Sequence, residues 1–105
     1  MIAYLSLFKL KPEVSLEKLE DMISRTRMLL LRVPEVLAVK TGKRINPHDP
    51  FDWFIYLEVE SMDKLAISHD DPHYFKFREE VLKPNVAEQE STAFEMDPRK
   101  DVKYS

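Results

Sequence analysis

A chain of 105 residues, 44% hydrophobic and 33% charged, has the balance of one ordinary globular domain and is too short for two independent cores. Its formal charge of −3 offers no general attraction to nucleic acid or to an anionic membrane surface. It has no cysteine, which excludes disulfides, thiolate nucleophiles and thiolate metal sites.

The opening residues Met1 to Lys9 are apolar but carry neither the basic leader nor the cleavage site of a secretory signal. No apolar run approaches the ~20 residues of a membrane span, so the expected location is the cytoplasm. Ile2 to Leu10 alternates as a strand, with Ile2, Tyr4, Ser6 and Phe8 on one face and Ala3, Leu5 and Leu7 on the other. Lys11-Pro12-Glu13 breaks it. Ser15 is then a good N-cap, with Glu17 in the first turn. Leu16, Leu19, Ile23, Thr26, Leu30 and Val33 recur at intervals of three and four, the stripe of an amphipathic helix that Pro34 ends.

Val36 to Thr41 predicts a second strand, closed by Gly42, the only glycine in the chain. Lys43 to Pro50 is a basic and polar loop holding two prolines. Asp52 to Glu60 predicts a third strand, with Trp53, Ile55, Leu57 and Val59 opposite Phe54, Tyr56 and Glu58. Ser61 caps a short helix running through Leu65 and Ile67. Asp71 as N-cap, with Pro72 at the first helical position, opens another. Its inward residues are Tyr74, Phe77, Val81 and Leu82, and it ends near Pro84. A last strand is expected from about Glu90 to Asp97.

Strand, helix, strand, strand, helix in two pieces, strand is the α+β order of the ferredoxin-like split βαβ fold: a four-stranded antiparallel sheet with helices on one face. The domain is expected over residues 1–98, with a charged C-terminal tail at 99–105. The alternation places Tyr4 and Phe8 beside Phe54 and Tyr56 on the uncovered face, with Leu5 and Leu7 against the helices. Aromatic residues gathered on an open face need a cover. A homodimer whose two sheets face each other supplies it.

The residues that carry a family resemblance lie in order along the chain: Tyr4 to Lys11 at the end of the first strand, Pro34-Glu35-Val36 before the second, Gly42-Lys43 after it, and Val59-Glu60-Ser61. Asp71-Pro72-His73-Tyr74-Phe75-Lys76-Phe77, followed by Pro84, resembles a His-Pro-x-His-x-x-Phe … Pro segment. Together these resemble the stress-responsive dimeric α/β-barrel (Dabb) family from Ile2 to about Pro98. The resemblance implies a homodimeric barrel with a cavity in each half. In the family's plant polyketide cyclases an intramolecular aldol condensation uses a histidine, which the resemblance sets at His73. A second histidine lies on the first strand, where this chain has Tyr4. A tyrosine ahead of the segment has Ile67 as its nearest counterpart here. The resemblance therefore nominates His73 and Tyr4 as catalytic, with ligand binding expected more than efficient cyclisation. Ser6, Phe8, Phe54 and Tyr56 are expected to line a substrate, while Tyr4, Phe54 and Tyr56 read equally well as plain dimer-core residues.

Each candidate has a plainer reading. At a helix start the positive end of the dipole disfavours an imidazolium, which suits His73 to accept a proton; the alternative is a histidine that packs the helix start. His69-Asp70-Asp71-Pro72-His73 has the residue types of a metal site, but Pro72 interrupts the helix between the two imidazoles and Asp71 is the N-cap. No metal and no cofactor are expected. Lys43 and Arg44 are placed to meet an anion at a cavity mouth, or are simply solvated. Glu58 on the covered face requires a partner, Lys9 or Arg44. Antibiotic-biosynthesis monooxygenases share this fold, but no trio of Asn and His assembles here. The expected function is a dimeric barrel that binds a small aromatic or polyketide-like molecule between sheet and helices, with His73-based acid/base chemistry. The alternative is a non-catalytic dimeric stress-response module with a packed barrel.

Overall fold

The computed structural model describes residues 1–99. From residue 100 on, the expected tail lies outside the described residues. Strands β1 (Ile2–Leu10), β2 (Val36–Lys43), β3 (Trp53–Val59) and β4 (Val86–Glu95) form one sheet in the order β2-β3-β1-β4, antiparallel at every junction. Helix α1 (Leu16–Leu30) joins β1 to β2; α2 (Met62–His69) and α3 (Pro72–Phe77) follow β3. A π-helical turn, Arg78–Leu82, and a last short turn, Lys83–Asn85, lead into β4. This is the ferredoxin-like α+β arrangement.

The expected caps are in place. Ser15 Oγ accepts from the Lys18 amide, Ser61 Oγ from the Lys64 amide, and the Asp71 carboxylate from the His73 amide with Pro72 beside it. The π turn has a cause in Pro84. In a regular helix that proline has no N–H for the Glu80 carbonyl and its ring would strike it, so the backbone widens and Lys83 N–H bonds to the Arg78 carbonyl instead.

Residues paired across antiparallel strands share a face, and this corrects the expected faces of β1. Tyr4 pairs with Leu57, Ser6 with Ile55 and Phe8 with Trp53, whereas Leu5 pairs with Tyr56 and Leu7 with Phe54. The Trp53-Ile55-Leu57-Val59 face of β3 is buried, so Tyr4, Ser6 and Phe8 lie under the helices with it. Phe8, 1% exposed, stacks on Trp53 with centroids 4.6 Å apart. Leu5 and Leu7 are half-buried on the open face beside Phe54 and Tyr56. Both faces of β1 are apolar, so alternation defines the two sets without saying which one is core; the pairing with β3 decides.

Between sheet and helices the core is filled by Phe8, Trp53, Ile55 and Leu57 from the sheet and by Leu19, Met22, Leu29 and Leu30 from α1, with Tyr74, Phe77 and Val81 closing it. Leu16, expected on the buried stripe, is 66% exposed, and Met22 and Leu29 take the inward positions. β4 begins four residues before its expected start, pairing Val86 with Leu10.

The open face is bounded by Lys40 on β2 and by Glu90, Thr92 and Phe94 on β4. The Phe54 ring lies over Gly42 so closely that a Cβ there would meet its Cε1 at 2.9 Å. Tyr56 carries the partner Glu58 was expected to find in Lys9 or Arg44: its hydroxyl lies 3.2 Å from Glu58 Oε1 and 3.1 Å from Met96 Sδ. Burial first, and then Glu58, push the Tyr56 phenol above its ordinary range. The Lys40 ammonium sits over the same ring. Among the described residues, no helix is long and apolar enough to cross a membrane.

Candidate functional site

Where the first half of β1 meets α2 and α3, four polar side chains converge. Strand alternation in the register set by β3 brings Tyr4 under the helices; His69 is the last residue of α2; Tyr74 and Phe77 are the inward positions of α3; Arg78 begins the π turn. The His69 imidazole lies between two phenols, edge-on to Tyr4 at 5.5 Å and tilted against Tyr74 at 4.4 Å. Its Nδ1 is 2.8 Å from the Leu65 carbonyl. A carbonyl oxygen only accepts, so Nδ1 carries the hydrogen, and in the neutral ring Nε2 keeps its lone pair.

Arg78 holds this arrangement from behind. Its Nη1 donates to the His69 carbonyl at 2.9 Å, and its guanidinium lies 5.1 Å from the centre of the Tyr74 ring. Tyr74 is buried, and that burial, reinforced by Tyr4 and opposed by Arg78, drives its phenol above the ordinary tyrosine range. Tyr74 is therefore a neutral hydroxyl at physiological pH, able to donate a hydrogen bond. A lone pair on one imidazole nitrogen, in a ring flanked by two tyrosine rings, is equipment for taking a proton from a bound molecule, with phenols at hand to steady the charge that develops on its oxygen.

The expected site residues divide among different places. Tyr4 stands in the cluster. His73 does not lie beside it: both its amide and its Nδ1 are held by Asp71 Oδ1, at 2.8 and 3.1 Å, and its side chain is 41% exposed. Successive residues of a helix point about 100° apart, and in α3 the inward direction belongs to Tyr74 and Phe77. Counting the His-Pro-x-His-x-x-Phe segment from Pro72 and Phe77 places its second histidine on Tyr74. Ile67, the expected counterpart of a family tyrosine, is about half-exposed on α2, and the buried residue there is Ser68, whose hydroxyl donates to the Leu65 carbonyl.

Ser6 is buried and shares a 2.8 Å hydrogen bond with the Ser91 hydroxyl, fastening β1 to β4. Phe8 is packed into the core, while Phe54 and Tyr56 belong to the open face. The segment from His69 to His73 does not converge on one point, because Leu65 holds the first imidazole and Asp71 caps α3. The sequence shows His69 only within a metal-like segment and Tyr74 only as an inward helix position, and it gives no sign of Arg78. The spacing of the Pro72–Phe77 segment was the signal available for Tyr74.

Solved structures share this architecture, three of them as follows. A protein of Arabidopsis thaliana superposes with a TM-score of 0.82 over 95% of this chain and 99% of its own, at 19% identity. A dimeric ferredoxin-like protein of unknown function from Thermobifida fusca gives 0.81 over 90% of each chain at 18% identity. The hydroxynitrile lyase from Passiflora edulis gives 0.79 over 95% of this chain and 96% of its own at 15% identity. At such identities the likeness is one of fold. No curated protein matches the sequence. With the model of the stress responsive A/B barrel domain matching residues 2–97, over the strand order and helices described above, the chain belongs to the Dabb family.

Proposed function

We propose that this chain is a homodimeric barrel protein that binds a small carbonyl-bearing aromatic or polyketide-like molecule against Tyr4, His69 and Tyr74. The observation that carries this reading is the fixed tautomer of His69, clamped between two phenols with Nε2 left as the acceptor. Tyr4 and Tyr74 would donate hydrogen bonds to a carbonyl oxygen, and Nε2 would take a proton from the adjacent carbon. The bond electrons then pass to the oxygen as an enolate held by the phenols, and the Leu65 carbonyl steadies the imidazolium through Nδ1–H. The same fold is found in a hydroxynitrile lyase and in a dimeric ferredoxin-like protein, which supports an enzymatic site and a dimer for this chain.

The dimer reading rests on the open face. Leu5, Leu7, Phe54 and Tyr56 form an apolar centre there, continued by the exposed Phe94. A second copy of the same face is the cover that the helices cannot supply. The test uses a dihydroxyacetophenone in deuterated buffer. Exchange at its methyl group above the buffer rate, lost in His69→Ala and retained in His73→Ala, is the expected result. Exchange unaffected by His69→Ala would overturn the assignment. A second reading, a non-catalytic dimeric module, is favoured by the filled core around Phe8, Trp53, Met22 and Phe77. It predicts that no such probe shifts the His69 or Tyr74 NMR signals.

A further inference from the structure

At the far end of β1 from Tyr4, a cleft of about 410 Å³ opens between the start of α1 and the ends of β1, β2 and β3. That volume lies within the range of small-molecule sites. Leu10, Val14 and Leu19 make its floor; Leu19 is buried, and the other two pack against the core. Lys11, Lys43 and Arg44 line the same cleft, with Asp52 as the one carboxylate among the lining residues. Three cations gathered on one rim run against the formal charge of −3 of the whole chain.

The existing partners of these cations leave room for an anion. Asp52 is already committed: Oδ2 accepts from the Leu10 amide at 2.8 Å, and Oδ1 lies 3.3 Å from Arg44. Arg44 also donates to the Asp49 carbonyl. Lys43 pairs with Glu20, and both side chains of that pair are about half-exposed. Surface pairs of this kind contribute little, so a ligand carboxylate replaces one at small cost. The Lys11 ammonium meets the Lys83 carbonyl at 3.5 Å, a contact at the outer limit of a hydrogen bond.

We propose that this cleft binds an amphipathic carboxylate, an organic acid whose apolar chain lies on Leu10, Val14 and Leu19 and whose head group is met by Lys11 and Lys43. The apolar floor selects against a bare anion, and the rim selects against a neutral chain. The site is separate from the His69 cluster and does not depend on the reading given to it.

Decanoate, decanol and inorganic phosphate are the probes, followed by methyl NMR of Leu10, Val14 and Leu19 and by calorimetry. Decanoate is expected to shift those methyl signals and to saturate, decanol to bind about tenfold or more weakly, and phosphate to leave the methyls unmoved. Lys11→Gln with Lys43→Gln should weaken decanoate by about tenfold or more without altering the folded spectrum elsewhere. Decanoate that leaves the three methyls unshifted, decanol that binds as well as decanoate, phosphate that displaces decanoate, or a double variant with unchanged affinity would each overturn the proposal.

Discussion

Replacing Phe8 and Leu5 by alanine in separate variants tests the register of β1, because these two residues, an odd number of positions apart on that strand, face opposite sides of the sheet. Phe8 is 1% exposed and stacked on Trp53, so Phe8→Ala removes a whole ring from a closed core. Truncations of this kind cost about 3–5 kcal/mol, a large share of the roughly 5–15 kcal/mol that holds a small domain together. Leu5 is half-buried within one subunit, and Leu5→Ala should cost about 1 kcal/mol there. In a dimer Leu5 is covered, so its cost should grow with protein concentration, while that of Phe8→Ala should be large at every concentration. The assay is urea unfolding followed by circular dichroism over a wide range of protein concentration, with Phe8→Leu as the milder variant if Phe8→Ala does not fold. If Leu5→Ala in dilute protein destabilised as much as Phe8→Ala, the face assignment would be wrong.

Two further outcomes are expected. Tyr56→Asp places a second carboxylate beside Glu58 on the open face and should shift the chain toward monomer in sedimentation; an unchanged dimer would show that the copies meet elsewhere. The raised Tyr74 phenol has a definite sign in stability: below the ordinary tyrosine pKa of 10.0 it contributes nothing that changes with pH, and above it the unfolded chain ionises first. Stability should therefore fall as pH rises past about 10, by about 1.4 kcal/mol per pH unit at most, and Tyr74→Phe should flatten that slope. A slope unchanged in Tyr74→Phe would count against a buried, neutral phenol.

The sequence was most legible where local chemistry acts alone. Strand β1 runs over the expected Ile2 to Leu10, and Ser15, Ser61 and Asp71 cap the helices that their side chains announce. Legibility failed where a nonlocal partner decides. Leu5 and Leu7 make as good a core face as Tyr4 and Phe8 until pairing with β3 is known. The start of β4 was hidden because Ala87, Glu88 and Gln89 lie on an edge strand exposed throughout its centre, with no buried side to impose an alternation. His69 carried the strongest ambiguity. Within five residues it sits beside two aspartates and another histidine, which resembles a metal ligand set. Its actual neighbours, Tyr4 and Tyr74, are brought to it by the sheet and by α3.

The same register determines whether the two ends of the sheet can influence one another. Tyr4, Ser6, Phe8 and Leu10 follow in turn along the helix side of β1, so the His69 cluster and the cationic cleft are about 20 Å apart at ~3.4 Å per residue. Between them lie the stacked Phe8 and Trp53 rings. The Trp53 indole donates to Thr41 Oγ1 at 2.7 Å, and that hydroxyl in turn donates to the Phe54 carbonyl at 2.7 Å, so the indole is held in one orientation. A layer packed this closely is expected to pass little from one end to the other. His69→Ala combined with Lys11→Gln should then change stability by the sum of the single effects, within about 0.5 kcal/mol. The measurement is a double-variant cycle in urea, repeated with decanoate present. A coupling well above that limit would mean that the Phe8–Trp53 layer shifts as a unit, and that the two ends answer to each other.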